Sequence, residues 1–242
     1  MNKKLLQWLL SLSLLSLLGP KCDIDFLSSK GFFKKNSEIP ELLLNISYNE
    51  SVFVKYKTEI QSFLDLMNVS DKDSFKIKME ELVQGTLFSK NMDKMMLLGK
   101  MMTKEERENR DAIIVNKHHY NKAFFNEVLL YEFRWPKEGL YAYDLANGVM
   151  LLRLGVELGY IIEEDQYDYL NTFKDKYYDQ FTSYEGFGRD VMIGRNLHIS
   201  HLKSIRSAKV IEDQEQLLSI AYYGMWQYLE TSEESSDINE SK

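Results

Sequence analysis

Apolar side chains recur every three or four residues along most of this 242-residue chain, and few residues that break helices stand between them. Only 3 prolines and 12 glycines are present. A β-sandwich or barrel needs a turn roughly every 8 to 12 residues, and such turns are rich in glycine and proline. The sequence therefore predicts an all-α fold, a single compact multi-helix globular domain of about eight or nine helices.

The composition favours one domain and restricts its partners. Apolar residues make up 44 % of the chain, which is enough for a sizeable core. We expect one helical domain over residues 1–230 and a disordered acidic tail over residues 231–242, where the apolar periodicity stops. The formal net charge of −7 argues against a general nucleic-acid binder, since that function needs a clustered basic surface. The single Cys22 excludes an internal disulfide.

Residues 5–18 form a strongly apolar run that is open to two interpretations. Lys3 and Lys4 precede it, as in a secretory signal. However, no cleavage site of small residues follows, and the run is shorter than the about twenty residues that span a membrane. We predict a buried first helix in a cytoplasmic protein, which makes membrane binding unlikely. Membrane anchoring or export through residues 1–22 is the alternative.

Capping signals divide the rest of the chain into helices. We expect Ser70 to begin a short helix that Gly85 ends. Thr103 is predicted to open a long helix, with a capping box at its start, that runs to about Arg134. A further helix is expected from Glu163, with acidic residues in its first turn, to about Gln180. A second capping box is expected at Thr182, where the next helix begins.

Two helices in the second half of the chain carry aligned glycines. Gly148 and Gly155 share one stripe of the helix predicted over residues 141–158. Gly188 and Gly194 share a face of a later helix, which begins near Thr182. A glycine inside a helix costs about 1 kcal/mol relative to alanine, so aligned glycines indicate that a neighbour packs closely there. We predict that these two glycine faces pack against each other.

Around these faces lies a candidate polar cluster of Asp144, Arg153, Tyr184, Arg195 and His198. Arg195 projects from an apolar stripe, and a buried guanidinium without a partner is costly. We therefore predict an ion pair between Asp144 and Arg195. Arg153 lies nearly opposite Asp144 on their helix, so a direct pair of those two is not expected. We interpret the cluster as structural rather than catalytic.

No pattern in the sequence predicts a catalytic residue, a cofactor or a metal site. His198 and His201 are three residues apart, as two metal ligands can be, but the HExxH pattern and cysteine partners are missing. The run Gly186-Phe187-Gly188-Arg189 lacks the Gly-Lys-Ser/Thr of a phosphate-binding loop. We expect neither a cofactor nor a bound metal.

Distinctive short motifs occupy residues 140–200. They are Tyr143-Asp144-Leu145-Ala146, Leu152-Arg153-Leu154-Gly155, Gly159-Tyr160-Ile161, Thr182-Ser183-Tyr184-Glu185-Gly186-Phe187 and Met192-Ile193-Gly194-Arg195. In this order they resemble the YbeU/YbeR-type family of bacterial proteins of unknown function, whose members usually have tryptophan where Tyr143 and Tyr184 stand. A weaker similarity covers residues 8–13 and 68–71. The resemblance implies an α-helical, usually cytoplasmic protein, and it supplies no established activity.

Two classes of function follow. The first is a non-enzymatic protein-binding or regulatory module, such as one member of a toxin–immunity pair, which fits the acidic balance and the abundance of tyrosine and methionine. The second is an enzyme or binding protein for a small anionic ligand held by Arg195 and Arg153, with His198 as acid or base. Burial of the cluster beside an exposed aromatic patch elsewhere favours the first class. An accessible cleft lined by Arg195 and His198 favours the second.

Overall fold

The structure is a computed structural model that describes residues 9–18, 50–118 and 120–203. Within these ranges it contains ten α-helices and no β-strand, which confirms the predicted all-α fold. The helices are α1 (Glu50–Lys55), α2 (Lys57–Met67), α3 (Lys72–Gln84), α4 (Leu87–Met101), α5 (Lys104–Glu108), α6 (Arg110–His118), α7 (Lys122–Leu129), α8 (Tyr141–Glu157), α9 (Glu163–Gln180) and α10 (Tyr184–Lys203). Short 3-10 helices cover Leu12–Leu15 and Glu132–Arg134. The predicted acidic tail and Cys22 lie outside the described residues.

Helix α8 lies at the centre of the fold because its sequence is apolar on nearly every side. Fourteen of its 17 residues are buried, against the usual single apolar stripe of a surface helix. Helices α3, α9 and α10 pack around it together with residues 9–18, which we call the leading segment. The central helix therefore places any residue it carries close to several neighbours at once.

The leading segment is part of the core. Six of its leucines are at most 3 % exposed, namely Leu9, Leu10, Leu12, Leu14, Leu15 and Leu18. The backbone N–H of Leu17 donates to Asn147 Oδ1 on α8 at 3.1 Å. The predicted burial of this run is thus confirmed for residues 9–18, although a 3-10 helix replaces much of the expected α-helix. Within the described ranges, every helix is too short or too polar to cross a membrane.

The long helix predicted from Thr103 to about Arg134 is wrong, since α5, α6 and α7 divide this stretch. Thr103 does open α5 with a capping box, in which its hydroxyl accepts from the backbone N–H of Glu106 at 3.2 Å. Asn121 then begins α7, with its Oδ1 accepting from a backbone N–H at 3.1 Å. Asparagine competes for the hydrogen bonds of a helix backbone, and this raises the helix count above the predicted eight or nine.

Two N-caps lie one residue later than predicted. Asp71, rather than Ser70, accepts from the backbone N–H three residues on at 2.8 Å and begins α3. Ser183, rather than Thr182, makes the equivalent bond at 3.1 Å before α10. All four residues are of types that cap helices well, so the sequence leaves the choice between neighbours to packing. Gly85 ends α3 as predicted, with φ at 84°.

A second core lies beside the main one. Met92 and Met96 of α4 pack in it with Phe125 and Val128 of α7 and with Leu197 of α10, and all are at most 3 % exposed. The methionines of α4 thus fill the core, as the flexibility of that side chain allows. This second core carries the cavity described below.

Candidate functional site

Asp144 is 1 % exposed and binds the start of α4 rather than a cation. Its Oδ2 accepts from the backbone N–H of Thr86 at 2.7 Å, and its Oδ1 accepts from the Thr86 hydroxyl at 2.9 Å. The free N–H donors and partial positive charge of a helix N-terminus stabilise the ionised form of this side chain in part. No ion pair within 4.0 Å joins Asp144 to Arg195 among the described residues, so the predicted bridge is wrong.

Burial raises the pKa of Asp144 to about 7, and the hydrogen bonds from Thr86 and Ser89 offset only part of that rise. An unfolded chain holds this group at a pKa of about 3.9. Folding therefore favours the protonated carboxyl. Its contribution to stability is complete below a pH of about 4 and is lost as the pH rises through about 7.

We expect Asp144→Asn to gain thermal stability relative to the unmodified chain as the pH is raised from about 5 to about 8. The asparagine amide keeps a hydrogen-bond acceptor and donor beside Thr86 but cannot ionise. Thermal unfolding of both proteins across this range gives the difference in Tm. Burial also raises the pKa of Asp190 to about 6 and lowers that of His198, but both proteins carry these groups, so their titrations cancel in the difference. A difference that stays constant with pH would contradict the raised pKa.

Arg195 and His198 are both neighbours of Tyr143, a residue that the predicted cluster did not include. The Tyr143 hydroxyl is hydrogen-bonded to His198 Nδ1, and the ring of Phe88 stacks on the imidazole with centroids 4.5 Å apart. Burial lowers the pKa of His198 to about 4, so the imidazole is neutral at pH 7. Burial also raises the pKa of Tyr143 well above its ordinary value, so the hydrogen bond joins a protonated phenol to a neutral imidazole.

The guanidinium of Arg195 has no hydrogen bond or ion pair within the described part of the chain, and its Nε is buried. Burial lowers the pKa of Arg195, and the neighbouring Tyr143 opposes this effect. The residue as a whole is only partly buried. Arginine can bury its stem while its charged end stays near water, which removes the need for the predicted counter-charge.

Arg153 and Tyr184 lie in two further places. Arg153 is 0 % exposed, and its Nη1 donates to Ser13 Oγ of the leading segment at 3.0 Å. It stands about 13 Å along α8 from Asp144, given about 1.5 Å per residue. Tyr184 packs on Tyr177 of α9, with ring centroids 6.1 Å apart. The five side chains of the predicted cluster therefore lie in four different contacts and do not share one site.

A cavity of about 290 Å³, which the sequence did not predict, lies at the end of α4 in the second core. Its lining includes Gly99, Arg107, Arg110, Asn126, Leu130 and Glu132. Ligand pockets start at about 300 Å³, so this space suits a side chain or a small ligand. Close packing of α4 against α7 forms its inner wall, since an added Cβ on Gly99 would lie 2.2 Å from a methyl group of Leu129.

The two arginines of the cavity differ in what they bind. Arg107 donates from Nη2 to Glu132 at 3.1 Å and to the carbonyl oxygen of Gly99 at 3.2 Å. It thereby caps the C-terminus of α4, where a cation is favourable. Arg110 makes no hydrogen bond or ion pair with the described residues, and its Nε is buried, as is the Oδ1 of Asn126. The lining thus carries two guanidinium groups against one carboxylate.

Four strongly exposed apolar side chains lie on the elements that line this cavity, and we call them the apolar rim. They are Leu97 (58 % exposed), Met101 (72 %), Leu130 (70 %) and Phe133 (97 %). Leu97 and Met101 are one turn apart on α4, and Leu130 itself lines the cavity. Phe133 adjoins the lining residue Glu132 in the 3-10 helix. Exposed apolar groups in one region mark binding surfaces more often than single ones do.

A known protein family is similar to most of this chain. Residues 67–233, more than half of the chain, match the model of a family described as a protein of unknown function (DUF1266). No curated protein matches the chain, and no solved structure does. The predicted domain of unknown function is thereby confirmed, whereas the finer YbeU/YbeR-type resemblance stays a prediction. The cavity and the apolar rim lie inside the matched region, and the leading segment precedes it.

Proposed function

We propose that this chain, which belongs to the DUF1266 family, is a non-enzymatic protein-binding module that binds its partner through the apolar rim. The observation that carries the proposal is Phe133, whose side chain is 97 % exposed and which follows Glu132 of the cavity lining. Leu130, three residues earlier, lines the cavity and is itself 70 % exposed. Aromatic side chains of this kind supply much of the binding energy in protein interfaces.

The separation of the predicted polar cluster supports binding over catalysis. An anionic substrate held by Arg195 and Arg153 would need both guanidinium groups at one site. Arg153 instead holds the leading segment through Ser13 in the interior of the fold. As part of this proposal, the module is one member of a toxin–immunity pair in the cytoplasm.

The partner can be identified by crosslinking from the rim in the native cell. A photoreactive phenylalanine analogue at Phe133 is compared with the same analogue at Tyr178, a ring on α9 that is 54 % exposed. We expect one protein to be captured from position 133 and not from position 178. Equal, unselective adducts from both positions would overturn the proposal.

We expect Phe133→Ala to weaken binding of that purified partner about 30-fold, which corresponds to an interface residue worth about 2 kcal/mol. The substitution leaves thermal stability nearly unchanged, because the ring has almost no contact with the fold. Calorimetric titration of both proteins measures the effect, and Tyr178→Ala is the matched control with unchanged affinity. Equal affinities of Phe133→Ala and the unmodified chain would show that the rim is not the interface.

A further inference from the structure

We infer that the cavity beside the apolar rim is a carboxylate-binding pocket, in which Arg110 pairs with an acidic side chain of the protein that the rim binds. This inference rests on the proposed function and adds the chemistry of the partner. It identifies a segment that carries an aspartate or glutamate next to an apolar residue.

The first argument is the state of the two arginines. Arg107 already donates to Glu132, to Gly99 and to Met102, with its last bond at 3.3 Å from Nε. Arg110 offers the same planar set of N–H donors and makes no hydrogen bond or ion pair with the described residues. A partly buried guanidinium in this state gains most from a bidentate carboxylate.

The second argument is the charge balance of the lining. The carboxylate of Glu132 balances the guanidinium of Arg107, with which it is paired at 3.1 Å. Arg110 leaves a surplus of a single positive charge, which one carboxylate neutralises. The formal net charge of −7 on the whole chain opposes a more highly charged ligand such as nucleic acid.

The third argument is the apolar wall of the same space. Met102, Leu129 and Leu130 line the cavity beside the charged groups, and Leu130 continues onto the rim. A peptide can therefore place an acidic side chain in the cavity and an adjacent apolar side chain on the rim. A free inorganic anion would leave the apolar wall unused.

The probe for this pocket is the peptide N-acetyl-Leu-Glu-Leu-amide, with N-acetyl-Leu-Gln-Leu-amide as its neutral match. Titration of the whole chain, labelled with ¹⁵N arginine, follows the Arg110 Nε–H resonance by NMR. We expect the acidic peptide to move this resonance and to bind at least about 10-fold more tightly than the neutral one, which is one charge-assisted contact of about 1.4 kcal/mol. Equal affinities of the two peptides would overturn the inference.

Two variants and one small probe complete the test. Arg110→Gln removes the preference for the acidic peptide, whereas Arg134→Gln, an exposed arginine outside the cavity lining, retains it. Arg110→Lys keeps the charge but loses the planar set of N–H donors that can bind both carboxylate oxygens, so an intermediate preference for the acidic peptide is expected. Acetate that binds as tightly as the acidic peptide would assign the pocket to free small carboxylates and overturn the partner inference. Specific crosslinks from Phe133 together with equal peptide affinities would reject the pocket and leave the protein-binding proposal standing.

Discussion

A chain that lacks residues 1–18 is expected not to fold. Six of the leucines that this deletion removes are at most 3 % exposed. At about 1.5 to 3 kcal/mol for each buried leucine side chain, their burial contributes about 9 to 18 kcal/mol. The whole free energy of unfolding of a domain is typically about 5 to 15 kcal/mol. The deletion also takes Ser13 from Arg153 and leaves that buried guanidinium with one bond fewer.

Far-UV circular dichroism and thermal unfolding of the deleted chain give the measurement, with loss of the cooperative transition as the expected result. A graded test uses Leu12→Ala, which removes a 0 % exposed side chain and costs about 2 to 5 kcal/mol. Leu17→Ala, at a partly exposed position of the same segment, is the control and costs about 1 kcal/mol or less. A cooperative transition in the deleted chain at an unchanged Tm would show that the segment is dispensable.

This expectation bears on the two interpretations of the apolar run. A secretory signal is removed from the mature protein, and its leucines contribute nothing to the final core. Here the described part of the run packs on α8, and its backbone bonds to Asn147. The apolar composition alone could not distinguish these two outcomes, because both need a run of leucines. The polar contacts of Ser13 and Leu17 are what tie the segment to the fold.

The all-α fold could be predicted because apolar periodicity is a local property, and α8 and α9 begin and end close to where it placed them. The long helix after Thr103 could not be excluded in the same way. Apolar residues continue at helical spacing through the breaks, whereas the breaks themselves depend on single side chains such as Asn121. Periodicity thus predicts which face is buried better than it predicts where the backbone turns.

The sequence also could not predict which side chains pack against the glycines of α8. A helical wheel gives the direction of a side chain but does not identify the helix that packs on it. Gly148 faces the ring of Phe173 on α9, and Gly155 faces the ring of Phe75 on α3. The two glycine faces therefore do not meet as predicted. Because four elements surround α8, each glycine admits a different neighbour.

The cavity and the rim were missed because residues from several short elements form them. Arg107 and Arg110 are three residues apart, a spacing that could have indicated a shared cationic site. Their different roles depend on the end of α4. Its carbonyl groups accept hydrogen bonds from Arg107, whereas Arg110 makes no bond to the described residues. Phe133 follows α7 in a 3-10 helix, where the periodicity of the preceding helix no longer indicates burial.

Gly194→Ala is expected to lower the free energy of unfolding by about 1 to 3 kcal/mol, the usual cost of overpacking. A Cβ on this residue would lie 2.4 Å from Cβ of Tyr143. That carbon is fixed by the backbone of α8 and cannot rotate away, so α8 and α10 must separate. The gain of about 1 kcal/mol from replacing a helical glycine by alanine offsets only part of this cost.

The separation has a second, local consequence that distinguishes it from general destabilisation. Tyr143 carries the hydroxyl that bonds to His198, so moving α10 outward lengthens that bond and admits water to the imidazole. We expect the pKa of His198, about 4 in the unmodified chain, to move towards its ordinary value of about 6.5 in the variant. Chemical denaturation measures the stability, and NMR titration of the imidazole measures the pKa. Gly186→Ala on the same helix is the control, because its Cβ would meet only the Ser183 hydroxyl, at 3.2 Å. An unchanged stability and His198 titration in Gly194→Ala would mean that the two helices do not depend on close contact at this glycine.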